Sequence, residues 1–164
     1  MLAQKAIATQ LDLVYYPVCF LFRHCVELHL KALVSEIYCL HGVQVELEQD
    51  VKGLPAKPKG MMQKHGLLTL LRWIEEALRI FTDERVDQLV RETVTAMDRI
   101  DFDGQAFRYH SRRDGSPSLP GATYVQMGQL LQRMKSVHFH LLGIDLWLAD
   151  HRATGQALLD ELTP

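Results

Sequence analysis

The chain has no uncharged apolar stretch long enough to cross a membrane. Its most apolar run, after Pro17, is broken by Arg23, His24, Glu27, His29 and Lys31, whereas a span needs about 20 nearly uninterrupted apolar residues. Residues 1–10 lack the apolar core of a secretion signal. Net charge is scarce too. A formal charge of −2 over 164 residues gives no whole-molecule attraction to a polyanion, so any nucleic-acid contact has to be a local patch. Cysteine is limited to Cys19, Cys25 and Cys39, about 9 to 30 Å apart along one predicted helix. Within that helix they cannot pair. Three buried-looking thiols without partners point to a reducing, cytoplasmic setting.

Several motifs are missing as well. No glutamate has a histidine three residues on, which excludes the Glu-x-x-His pairs of di-iron four-helix bundles. Cys39 and His41 are only two ligands, with no Cys-x-x-Cys or His-x-x-x-His to support them. Glycine-rich phosphate loops and nucleophile elbows are also absent. The expectation is no metal and no cofactor.

What is present is helical periodicity. Hydrophobic content of 48% and charged content of 23% are those of an ordinary globular chain, and the length suits one well-cored domain spanning 1–164. Residues 2–13 have apolar positions at helical spacing and predict a short amphipathic first helix. Pro17 suits the first turn of a second helix, and no further proline or glycine occurs before Gly42. Residues 16–40 therefore predict a central helix of about 25 residues. Residues 42–60, with three glycines and two prolines, read as a loop.

A third helix follows from about residue 61 or 65 to Phe81, and a fourth starts from a cap at Thr82 or Asp83 and runs to about Ile100. Residues 101–122 combine turn residues with Phe102, Phe107 and Tyr109, a loop with anchors of a length that is often functional. A last helix runs from Thr123 to about His151, with Gly143 marking a close crossing or slight bend. The tail 153–164 is expected to be peripheral, fraying after Gly155. The sum is an all-α bundle of about five helices with a long central second helix.

The central helix has one anomaly. At about 100° per residue, Arg23, Glu27 and Lys31 stand one above another, with His24 beside them and Ser35 continuing the line. Charge on an otherwise apolar helix is costly unless it is partnered or faces a wet cleft. The row is either a structural ion-pair ladder or a site. Arginine can hold a phosphate and stabilise its developing charge, and a neutral imidazole can take a proton from an attacking hydroxyl. The later phrase FRYHSRR, residues 107–113, interleaves basic and aromatic side chains in a way that suits RNA phosphate and a stacked base. Phe107 and Tyr109 can equally pin the loop, leaving Arg108 to pair with Glu27 or Asp101.

The segment Arg23, His24, CVEL, His29 resembles the Arg-x4-6-His motif of the HEPN superfamily. FRHCVELHLKAL at 22–33 and FRYHSRRDG at 107–115 resemble phrases of bacterial HEPN-like proteins. That resemblance implies a helical bundle that dimerises and, when active, cleaves RNA without metal, in toxin–antitoxin or phage-defence settings. It implies catalytic Arg23, His24 and His29, with Glu27, Lys31, Arg108, Tyr109 and Arg112 contacting substrate. The implied partners are a second copy, RNA, and a cognate antitoxin or defence protein, with no membrane. The alternative is a non-catalytic dimerisation or protein-interaction domain in which Arg23, Glu27, Lys31 and Arg108 form a buried network. A helical adaptor using the loop from Gly104 to Gly121 is a third reading.

Overall fold

The computed structural model describes residues 2–47, 50–109, 115–116 and 126–162. The described residues are helical or irregular, with no strand. There are four helices among them, not five: α1 (Leu2–Glu46), α2 (Leu67–Leu78), α3 (Gln88–Ile100) and α4 (Met127–Leu162). Each packs on the next, and α4 closes the ring on α1.

The count differs because the first two predicted helices are one. Pro17 lies inside α1 rather than at its start. A proline there removes one hydrogen bond to the carbonyl four residues back and strains the turn; Pro17 itself is exposed. Gly42, expected to end the helix, is inside it as well, because α1 continues to Glu46. At the other end, α4 passes through the tail expected to fray and runs to Leu162; its expected start at Thr123 lies outside the described residues. The fourth predicted helix starts later than its expected cap, at Gln88. Asp87 is the N-cap and accepts from the Leu89 N–H at 2.7 Å, the usual service of an aspartate at that position. α2 has Gly66 at its N-cap without a side-chain cap. Its orphan Leu68 N–H is taken instead by Asp98 Oδ1 of α3 at 3.2 Å.

Contacting pairs fix the helix directions. Along α1 and α2, Glu27 meets His65, Tyr38 stacks on Trp73, and His41 meets Phe81, so both helices run the same way. Along α1 and α4, His29 meets His138, Glu36 pairs with Arg152, and Val43 touches Gly155, so these two are also parallel. α3 runs against α2, because Leu68 meets Asp98 while Glu75 meets Arg91. Two connections differ as a result: 47–66 returns the length of the bundle between the parallel α1 and α2, whereas 101–126 joins neighbouring ends of the antiparallel α3 and α4. The first lies against the bundle: Met61 is buried, Leu54 and Met62 pack on the core, and Trp73 Nε1 donates to the Pro55 carbonyl at 3.1 Å.

The core is the shared interior of the ring. Leu30, Leu33 and Ile37 of α1, Leu70 and Ile74 of α2, Val90 of α3, and Leu141 and Leu148 of α4 are all fully buried. The close crossing is not at Gly143, around which nothing lies within 4 Å of a built Cβ. It is at Gly155, where a Cβ would sit 2.6 Å from Val43 Cγ1. There α4 rides directly on α1.

Candidate functional site

The charged row of α1 faces inward. Arg23 is 2% exposed and Glu27 is equally buried. Each guanidinium nitrogen of Arg23 is engaged: Nε donates to the Asp101 carbonyl at 3.0 Å, Nη1 to Glu27 Oε2 at 2.8 Å, and Nη2 to the His65 carbonyl at 2.6 Å. Glu27 Oε1 accepts from Lys31 Nζ at 2.7 Å and from His65 Nδ1 at 2.9 Å. A carboxylate acceptor requires the proton on Nδ1, which turns Nε2 away from Glu27. Asp101, the C-cap of α3, accepts from the Ala106 N–H at 2.7 Å through Oδ1. Its buried Oδ2 lies 3.2 Å from Arg23 Nε and takes no hydrogen bond, so the charge on Arg23 compensates it.

Two positive and two negative side chains thus close on one another, with His65 as the exposed member. Burial alone pushes the Glu27 carboxyl up, but hydrogen bonds from Lys31, His65 and Arg23 outweigh it and hold the group down at about 2. The loop after α3 is shaped to cover Arg23. Gly104 has φ +75° and passes so close that a Cβ would sit 3.3 Å from Arg23 Nη1, a backbone conformation and a clearance that both favour glycine.

The other expected site residues are elsewhere. His24 is exposed and stacks on Phe20, with ring centroids 6.0 Å apart. The Arg108 guanidinium lies 5.1 Å from the same Phe20 ring. The basic–aromatic loop therefore meets α1 at Phe20, and Arg108 pairs with a ring rather than with Glu27 or Asp101. Phe107 is buried and anchors that loop, whereas Tyr109 is exposed. His29 is half-buried against His138 of α4, with centroids 5.9 Å apart. Burial, aided by His138, lowers its pKa against the opposing pull of Asp145. Arg112 lies outside the described residues.

The structure thus brings Arg23, Glu27 and Lys31 together, and His24 with Arg108, but places Arg23, His24 and His29 in three surroundings. Six residues apart on one helix, Arg23 and His29 are about 9 Å apart along the axis and about 120° apart around it.

One network member, His65, escapes sequence reasoning, and Asp101 enters it only as a partner for Arg108. His65 is 38 residues from Glu27 and no spacing rule links them. Asp101 carries a weak signal, an acid ending a predicted helix before a glycine turn. A cleft of about 450 Å³ between the end of α2, residues 82–87 and α4 contains none of the expected site residues. Among the described residues, no group of three or more His, Cys, Asp or Glu side chains is placed to hold a metal ion, and no helix is long and apolar enough to cross a membrane.

Cys19 is buried, but Cys25 and Cys39 are exposed, which corrects the expectation of three buried thiols. They share the outer side of α1 with Leu21 and Leu28, 57% and 53% exposed. On α4, Leu146 is 61% exposed, and Phe139, 68% exposed, stands at the edge of the cleft beside residues 82–87. Comparison of the chain with protein-family models, with curated proteins and with solved structures gives no match.

Proposed function

We propose that this chain is a helical association module, in which the Arg23–Glu27–Lys31 network sets the bundle and the outer side of α1 and α4 is the working surface. The observation behind this reading is the closure of the charged row: Arg23 has all three nitrogens engaged by protein groups, while large apolar side chains stand uncovered on the opposite side of α1. Exposed apolar patches of this extent are associated with interfaces, and a second copy is the simplest occupant. Sedimentation from about 1 to 100 µM tests it. Dimers that Leu28→Glu or Leu146→Glu converts to folded monomers are expected, and a monomer at every concentration sinks the reading.

A second reading is favoured by a different observation, the exposed grouping of His24 and Arg108 around Phe20. Imidazole, guanidinium and an aromatic face can hold a phosphate and a base together. This supports an HEPN-like, RNA-directed module of the toxin or defence kind, a metal-independent endoribonuclease if active, acting as a dimer in the cytoplasm under the control of a cognate antitoxin. Its test is binding and cleavage of single-stranded RNA in a chelator at about 50 and about 200 mM salt. Arg108→Ala should weaken binding and reduce its salt dependence. Absence of both binding and cleavage rules this reading out.

A further inference from the structure

From the spacing of exposed residues on two helices we infer that a second copy of this chain packs antiparallel on the α1/α4 face, about a two-fold axis at Ala32, with Cys25 opposite the partner's Cys39. This rests on the association reading and gives it a register.

The outer positions of α1 alternate by four and three residues, a seam that stays on one side of a helix. Cys25 and Cys39 are each seven residues from Ala32, and all three are exposed. An antiparallel pair centred on Ala32 therefore sets each Cys25 level with a partner Cys39. The remaining seam residues agree in size. Leu28 falls against Ser35 of the partner subunit, and Leu21 against Gly42 of the partner subunit, large against small in both cases. A parallel pair would instead stack leucine on leucine and leave glycine facing glycine.

The contacts of α4 with α1 are compatible with the same centre. Contacting residues on α1 and α4 differ in number by 112 at Val43 and Gly155, by 109 at His29 and His138, and by 116 at Glu36 and Arg152. These values place Ala32 level with residues 141–148 of α4, and the middle one with Ile144. On α4 the same alternation of three and four residues gives apolar members spaced evenly about that level: half-buried Leu142 and exposed Leu146 are two residues away, and Phe139, which also edges the cleft beside residues 82–87, and half-buried Ala149 are five. A single two-fold axis running across both helices therefore pairs Leu142 with the partner's Leu146 and Phe139 with the partner's Ala149. The second of these is again large against small.

From Leu21 to Gly42 the face is about 33 Å long and two helices, or about 20 Å, wide. That is about 650 Å² per chain and about 1,300 Å² in total, inside the range of about 1,200–2,000 Å² for stable interfaces. Small residues at the centre allow an interaxial distance of about 8 to 10 Å, leaving facing Cα atoms about 3.4 to 5.4 Å apart. That overlaps the span of about 4.4 to 6.8 Å that a disulfide bridges.

The test uses diamide, which oxidises two thiols to a disulfide and is itself reduced to the hydrazine by the two hydrogens they lose. Wild-type protein should give a covalent dimer on a non-reducing gel. Cys25→Ser alone and Cys39→Ser alone should give none, and an equal, re-equilibrated mixture of the two variants should link about half of its chains. Linking within either single variant, or none in the mixture, overturns the register. Sedimentation of the same samples under reducing conditions separates the two failures: a dimer without the Cys25–Cys39 link overturns only this inference, whereas a monomer overturns the association reading with it.

Discussion

Replacing Glu27 by alanine removes the acceptor that three donors share, and its cost follows from what is left behind. Arg23 would keep its bonds to Asp101 and to the His65 carbonyl, but its Nη1 would face an apolar methyl at a site 2% exposed. Lys31 and the His65 ring would lose their anchor. Breaking a buried ion pair by deleting one member costs about 3 to 5 kcal/mol, because the surviving charge stays desolvated. An exposed pair is worth about 0.2 to 1 kcal/mol. Urea unfolding followed by circular dichroism distinguishes these values, provided the slope with denaturant is unchanged. In heat, the larger figure corresponds to a fall in Tm of about 6 to 20 °C for a domain of this size. Lys31→Ala is the internal control: its side chain is 19% exposed and its loss leaves Glu27 with Arg23 and His65, so about 1 kcal/mol or less is expected. A Glu27→Ala cost below about 1 kcal/mol refutes the buried network.

The two long-helix glycines should respond in opposite directions. Gly155→Ala forces a Cβ to 2.6 Å from Val43 Cγ1 and should cost about 1 to 3 kcal/mol in urea unfolding, while Gly143→Ala, with open space around it, should gain about 0.5 to 1 kcal/mol. Pro17→Ala should raise both helicity and stability, because a proline inside a helix costs about 3 kcal/mol relative to alanine, whereas no change would mean that the helix begins at Pro17. The Glu27 carboxyl lies below its ordinary 4.5, so it stabilises the fold above that pH, and the stability should drain away between pH 4.5 and about 2. His29 is depressed below 6.5, so its share of stability is present above that pH and falls as the solution becomes more acidic. His29→Gln should flatten the slope of stability with pH just below 6.5, and an unchanged slope would contradict its burial.

The sequence makes helix faces legible, because burial acts on a 3.6-residue period. The inward leucines of α1, α2 and α4 and the stacking of Arg23, Glu27 and Lys31 could be read from spacing alone. Helix ends were less accessible. Pro17 and Gly42 are intrinsic breakers, yet both are accommodated on the solvent side of a helix whose neighbours hold it on the other. The identity of Arg23's partners depends on direction of travel: had α2 run against α1, Glu27 would not meet the residue before α2, and no local signal encodes that choice. Gly143 and Gly155 differ for the same reason, since only the packing of α4 on α1 tells which glycine is crowded.

The parallel pairing of α1 with α4 also bears on how the chain acquires its fold. α1 is synthesised first, but the helix that covers one of its flanks is the last 36 residues of the described chain. At about 5 to 20 residues per second, some 116 residues separate the end of α1 from the end of α4, so that flank stays bare for roughly 6 to 23 s. The antiparallel α2–α3 pair, joined by a short connection, can form meanwhile without either long helix. A chain arranged this way has most to gain from a chaperone during translation.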